Sequence, residues 1–258
     1  MTPASLLAAR RCERLVREGS ARYLSLDVVG AEPLLRAALA EAERSGRPRA
    51  IARSAHSLYD FLRHEGREAE SAAALERIVC AHRRISGMDG RWTAEWRDEL
   101  IGLYGRLDRP ADLEALCGER LESDVRRHGR RSVEVAWALL TLAWAHRGAG
   151  RWDEAEARGR EALALLEEAL GCDDPRTGWA LIGLALARDH AGDRPNAEAA
   201  LRRARANWAR VGHADRVAAV DELAAALRCP PDGACETRKR TSCSAARLTG
   251  PIFASPLL

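Results

Sequence analysis

The sequence predicts an all-α solenoid, a chain of stacked helical hairpins. Apolar residues make up 47% of the 258 residues and are mostly Ala and Leu, which are strong helix formers, whereas aromatic residues make up only 5%. The segment 131–171 is also followed by a copy of itself, because a shift of 42 residues places Leu142 on Leu184 and Gly150 on Gly192. Repeats with a period of about 20–50 residues are typical of solenoids, whose units bury their apolar faces by stacking on their neighbours.

The repeat continues on both sides of this segment, with Leu58 and Leu100 falling in the same register. Gly46 has the character of a helix C-cap. Pro48 and Pro110 are acceptable because each opens a helix, where the N–H that proline lacks is not needed. Five hairpin units are therefore predicted at about 3–46, 48–86, 90–129, 131–171 and 173–212.

Two further segments complete the chain. Residues 213–228 are predicted to form a capping helix that covers the apolar face of the last unit with Val220, Leu223, Ala224 and Leu227. Residues 229–258 lose the helical periodicity and become rich in Pro, Gly, Ser and Thr, which predicts a disordered tail. The expected organisation is one repeat domain at 1–228 followed by that tail.

Charge and missing motifs argue against several classes of function. The net charge is only +3, and no basic stripe of the kind that binds nucleic acid is present. No run of 18 apolar residues occurs, and Arg10 and Arg11 interrupt any signal-peptide core, so we expect a cytoplasmic protein that does not bind membranes. The seven cysteines form no CxxC pair, and phosphate-loop, HExxH and GxSxG motifs are missing. We therefore expect no enzymatic activity, no cofactor and no metal site.

The central residues resemble the tetratricopeptide repeat family, in particular its long, kinesin-light-chain-like repeats common in bacterial signalling proteins. The resemblance rests on the pattern LAxxHRGAGRWDEAE at 142–156 and ALALLEEALGxDDP at 162–175. It implies a right-handed solenoid in which Ala143, Ala155 and Ala162 let paired helices approach closely, with a turn at Gly150. Units two and three depart from the pattern by placing larger or polar residues at small positions: Ser71, Ile78, Leu113 and Arg120.

The resemblance further implies that the first helix of each unit lines a concave groove that holds another chain. In units four and five the residues predicted to face this groove are mainly apolar, and tryptophan-rich patches of this kind are typical of binding hot spots. The alternative is that these tryptophans pack as core between adjacent units. The predicted set is Trp137, Leu140, Trp144, Arg147, Trp179, Ile182, Leu186 and Asp189.

In units two and three the predicted groove side is polar. Opposite charges along it favour a short peptide or a disordered segment of a partner, although the same pattern is also typical of a merely solvated helix face. The predicted residues are Arg53, His56, Asp60, Arg63 and His64 in unit two, with Glu95, Asp98 and Arg106 in unit three.

These patterns predict a non-enzymatic scaffold or adaptor that binds a protein or peptide segment. Two alternatives stay open. The array could be the peptide-sensing module of a bacterial signalling or transcriptional system, or it could carry a functional tail containing Cys229, Cys235 and Cys243. The partner and the oligomeric state are not predicted by the sequence.

Overall fold

The computed structural model of the chain describes residues 3–228, so the predicted tail at 229–258 and its three cysteines lie outside the described residues. Residues 3–228 form eleven α-helices and no strands, which confirms the predicted all-α class. Every one of these helices is too short or too polar to cross a lipid bilayer. The helices are α1 (Pro3–Leu24), α2 (Val28–Ser45), α3 (Pro48–His64), α4 (Glu68–Ser86), α5 (Arg91–Arg106), α6 (Pro110–His128), α7 (Val133–Gly148), α8 (Trp152–Leu170), α9 (Thr177–His190), α10 (Arg194–Arg210) and α11 (Ala214–Arg228).

The chain divides into two compact units, an N-terminal unit at Met1–Leu107 and a C-terminal unit at Asp108–Leu258. In the N-terminal unit α1 packs on α2, α3 packs on α4, and α2 and α4 each contact the next helix along the chain. In the C-terminal unit each helix from α6 to α10 packs on its successor. Packing between consecutive helices is the arrangement expected of stacked hairpins.

The boundary between the units falls inside the segment predicted as the third hairpin. Its first helix, α5, packs on α4, and its second helix, α6, packs on α7. This segment also departs from the repeat pattern, because α6 carries Leu113 and Arg120 where α8 carries Ala155 and Ala162.

The leucines that recur every 42 residues lie in the core. Leu58, Leu100, Leu142 and Leu184 are all less than a tenth exposed. The small residues of the second helices are buried as well, with Ala162 completely buried. Small side chains at these positions allow the close helix contacts that hold each hairpin together.

The capping helix predicted at 213–228 is confirmed as α11. It packs on α10, and Val220, Leu223 and Leu227 are buried, while Ala224 packs against the same core from a partly buried position. The last apolar face of the array is therefore covered within the described residues.

The turn between the two helices of each hairpin uses one repeated backbone conformation. Gly150 has a φ of 76°, and the residues in the same register are Leu26 (65°), Gly66 (70°), Asp108 (52°) and Gly192 (81°). Positive φ is unstrained for glycine but costs an L-residue about 1–2 kcal/mol. Leu26 in the first hairpin turn and Asp108 in the third therefore adopt the conformation of the glycine turns at a cost in backbone strain.

This strain predicts opposite effects for two substitutions at equivalent turns. Leu26 is 87% exposed, so Leu26→Gly removes the strain and loses little packing. We expect it to raise the free energy of unfolding by about 0.5–1 kcal/mol, after the greater chain entropy of glycine is allowed for. Gly66→Ala is expected to lower the same quantity by about 1–2 kcal/mol. Chemical unfolding followed by circular dichroism measures both changes. A loss of stability in Leu26→Gly would contradict the assignment of backbone strain to Leu26.

Candidate binding surface

The tryptophans predicted to form an apolar patch are buried in the C-terminal unit. Trp137, Trp144 and Trp179 are only 4–6% exposed, and Leu140 and Ile182 are completely buried. All five belong to one hydrophobic core cluster. The structure therefore corrects the prediction of an open tryptophan patch and agrees with the alternative that these rings are core.

The physical reason is that α7 and α9 are apolar on all sides. Every residue of α7 from Val135 to His146 is buried. A helix that is apolar all round lies in a core, because no face of it is stable in water. The neighbouring helices complete the enclosure, since the ring of Trp179 meets that of Trp208 on α10 edge to face at 5.1 Å, and the guanidinium of Arg216 on α11 lies 5.1 Å from the Trp179 ring.

The remaining predicted residues of this unit are partly buried. The guanidinium of Arg147 lies 4.2 Å from the centroid of the Trp144 ring, and loss of solvation lowers the pKa of Arg147 to about 10. Leu186 packs against the core from a partly buried position, and Asp189 lies 3.9 Å from the guanidinium of Arg194. These three side chains contact other residues of the C-terminal unit.

The polar residues predicted on α3 occupy its solvated face. Arg53, His56 and Arg63 are exposed and Asp60 is half-buried, whereas Leu58 and Tyr59 on the opposite side are buried. The carboxylate of Asp60 lies 3.8 Å from Nε2 of His56, which is too far for a hydrogen bond. Unlike α7 and α9, the first helix of the second hairpin keeps one face open to solvent.

A cavity of about 290 Å³ lies between this face of α3 and the neighbouring first helix α5. Trp96 is partly exposed at its wall, and its ring contacts that of His56 edge to face at 4.9 Å. The Tyr59 hydroxyl donates a hydrogen bond of 2.8 Å to Glu99. Burial and then this hydrogen bond raise the pKa of Tyr59, so the phenol stays protonated and donating. We call this cavity, lined by His56, Tyr59, Asp60, Arg63, Glu95, Trp96 and Glu99, the α3–α5 cavity.

The prediction placed His56, Asp60, Arg63 and Glu95 on this side but missed Trp96. Trp96 stands in the register of Ser54, Ala138 and Ala180, which are small and completely buried. An indole cannot fit where these residues pack, so its ring is only partly buried. The signal that could have identified it is a large aromatic residue at a position that is small in the other repeats.

The other predicted polar residues lie close to charged groups of the same unit. Arg53 forms an ion pair of 3.0 Å with Glu13 of α1, and Arg106 forms one of 3.1 Å with Glu68 of α4. Asp98 lies 3.9 Å from the buried guanidinium of Arg97. None of these three residues lines the α3–α5 cavity.

The described residues contain no group of three or more His, Cys, Asp or Glu side chains arranged to hold a metal ion. Carboxylates and an aromatic ring beside an open cavity recognise a ligand by charge and by stacking. The fold and this cavity define an α-helical repeat protein with an open cavity in its N-terminal unit.

Comparison with known proteins agrees with this class. A sequence profile described as tetratricopeptide repeat matches residues 92–168 and 149–210. The solved structure of BtubC (BKLC) from P. vanneervenii is similar, with 22% identity, coverage of 82% of this chain and 93% of that chain, and a TM-score of 0.54. A kinesin light chain protein of Podosopora anserina with nearly identical TPR-like repeats is 18% identical over 83% of this chain and 100% of that chain, with a TM-score of 0.56. No curated protein sequence matches.

Residues 92–210 therefore carry tetratricopeptide repeats, as the repeat pattern predicted. The structural similarities concern the fold. Proteins of this family generally serve as scaffolds for protein interactions and are typically not enzymes.

Proposed function

We propose that this protein is a non-enzymatic scaffold that binds a segment of a partner protein through the α3–α5 cavity. The observation that carries the proposal is that Trp96 is partly exposed at the wall of a cavity formed by two first helices. On the first helices α7 and α9, by contrast, the tryptophans are packed into the core, as Trp137 and Trp179 are. An accessible aromatic ring beside polar side chains is typical of the anchor point of an interface.

The charges of the cavity favour a partner segment that carries a basic side chain. Asp60, Glu95 and Glu99 outnumber Arg63, which leaves a net charge of −2 with His56 neutral. The face of the Trp96 indole also attracts a cation. A lysine or arginine of the partner is therefore stabilised by a carboxylate and by the ring together, with the stem of its side chain against the aromatic surface.

Inversion of one charge in this cavity tests the proposal. Glu95→Lys places a cation beside Trp96 and is expected to repel the basic anchor of the partner. The chain with Glu95→Lys and the unchanged chain are each immobilised and used to capture proteins from the native cell, and the captured proteins are quantified by mass spectrometry. The captured amount of at least one partner is expected to fall by about tenfold or more in the variant.

Glu122→Lys is a matched control, because both glutamates are exposed and each lies four residues from an arginine that it pairs with. Glu122 does not line the α3–α5 cavity. Partners retained by Glu122→Lys and lost by Glu95→Lys support the proposal. The same partners at the same abundance in all three samples would refute it.

A further inference from the structure

A second and larger cavity, of about 510 Å³, lies in the N-terminal unit between α1, the start of α3 and the end of α4. Its walls carry four arginines against one glutamate, Glu13, which gives the lining a net charge of +3. The whole chain has the same net charge spread over 258 residues. We call it the arginine cavity, after Arg47, Arg49, Arg53 and Arg84.

These guanidinium groups keep most of their hydrogen-bond donors free. Nη2 of Arg47 is shielded from solvent and has no hydrogen-bond partner within the described residues. Arg49 makes no hydrogen bond or ion pair within residues 3–228, and Arg84 donates one bond of 3.2 Å to the Gly46 carbonyl. The pair between Arg53 and Glu13 is about 60% exposed on both sides and is therefore weak. Each guanidinium carries five N–H donors, so an anion can be held at several points.

The backbone adds to this positive potential. The helix α3 begins at Pro48, and its N-cap, Arg47, provides no side-chain cap for the first-turn N–H groups. Pro48 has no N–H, and those of Ala50 and Ile51 donate to the Arg47 carbonyl, so the contribution of this helix start is the positive end of the helix dipole, which favours a negative charge. The side chains and the start of α3 therefore attract the same kind of ligand.

The floor of the arginine cavity is apolar. Cys12 is completely buried there, and its thiol is engaged with the Ser54 hydroxyl at 2.9 Å. Ile85, which also lines the cavity, is 38% exposed. A ligand that combines carboxylates with apolar groups satisfies both surfaces, whereas a fully hydrated small anion leaves the apolar floor uncovered.

We propose that the arginine cavity binds an acidic peptide segment in which glutamate or aspartate alternates with apolar side chains. The inference rests on the proposed function in taking the ligand to be a peptide. It concerns a cavity other than the α3–α5 cavity, and its ligand is acidic where the segment proposed for the α3–α5 cavity is basic. Arginine is suited to this role because its planar fork pairs with a carboxylate through two parallel hydrogen bonds.

The test measures the affinity of the full chain for a short fluorescein-labelled peptide of alternating glutamate and leucine, by fluorescence anisotropy. A peptide with glutamine in place of glutamate serves as the uncharged probe. The acidic peptide is expected to bind at least about tenfold more tightly than the glutamine peptide, and added salt is expected to reduce the difference. Equal binding of the two peptides would overturn the inference.

Matched variants locate the site. Arg49→Glu with Arg84→Glu is expected to weaken binding of the acidic peptide by about tenfold or more, because exposed cations of the lining become anions. Arg14→Glu with Arg17→Glu makes the same charge change at exposed positions on α1 outside the lining, and is expected to alter affinity by less than about threefold. An equal loss of affinity in both double variants would show a general charge effect and would contradict binding at the arginine cavity.

Glu13→Gln provides a variant with the opposite expected effect. It removes the carboxylate that competes with the ligand for Arg53, so affinity for the acidic peptide is expected to rise about two- to threefold. A merely structural role of Glu13 predicts no such gain. Glu95→Lys separates this inference from the proposed function, because partners lost by that variant alone would support the α3–α5 cavity even if the arginine cavity bound no acidic peptide.

Discussion

The substitution Trp208→Ala is expected to lower the free energy of unfolding of the C-terminal unit by about 3–5 kcal/mol. Trp208 is completely buried and packs against Trp179. A Cβ on Gly178 would lie 2.7 Å from the Trp208 ring, so the ring fits tightly against the start of α9. Its removal leaves a cavity between α9 and α10 that the packed backbone cannot close.

Urea unfolding followed by circular dichroism measures this loss. Trp92→Ala is the control, because Trp92 is 52% exposed and its replacement is expected to cost less than about 1 kcal/mol. A cost of less than about 1 kcal/mol for Trp208→Ala would contradict the assignment of these tryptophans to the core.

The substitution Trp96→Ala is expected to weaken binding of a captured partner segment by about tenfold or more, because it removes the aromatic wall of the α3–α5 cavity. The cost to stability is expected to be small, since the Trp96 ring is only partly buried. Isothermal titration calorimetry with a synthetic segment of the partner measures the affinity, and thermal unfolding measures the stability.

Trp92→Ala again provides the matched control, because Trp92 lies on the same helix and does not line the cavity. Its affinity for the segment is expected to stay within about twofold of that of the unchanged chain. Equal affinities for the Trp96 and Trp92 variants would remove Trp96 from the binding surface.

The fold was predictable because its determinants repeat along the chain. Leucines in steps of 42 residues and alanines on the second helices recur in sequence as they recur in space. The turn conformation is likewise set once per repeat, and even Leu26 and Asp108 adopt the conformation of the glycine turns. A local pattern that recurs this regularly leaves few alternative structures.

The binding surface was harder to predict because exposure depends on what lies opposite each helix. A repeat template placed Trp137 and Trp179 toward the groove, but α7 and α9 are apolar on all sides, and that observation alone favours burial. Trp96 was missed because it lies one residue away from the template position at Glu95.

The arginine cavity shows a second limit. Arg84 is 31 residues or more from the other three arginines in sequence, and only the packing of α1, α3 and α4 brings the four side chains to one cavity. Charge counted along the chain is nearly balanced, so the local excess arises from the tertiary structure.

Hydrogen–deuterium exchange of the chain with and without its captured partner tests the central claim most directly. If the partner is held by the solvated faces of first helices in the N-terminal unit, amides of α3 and α5 exchange more slowly in the complex, while those of α7 and α9 are unchanged. Slower exchange confined to α7 and α9, with α3 and α5 unaffected, would contradict this account and place the partner on the helices that here form the core.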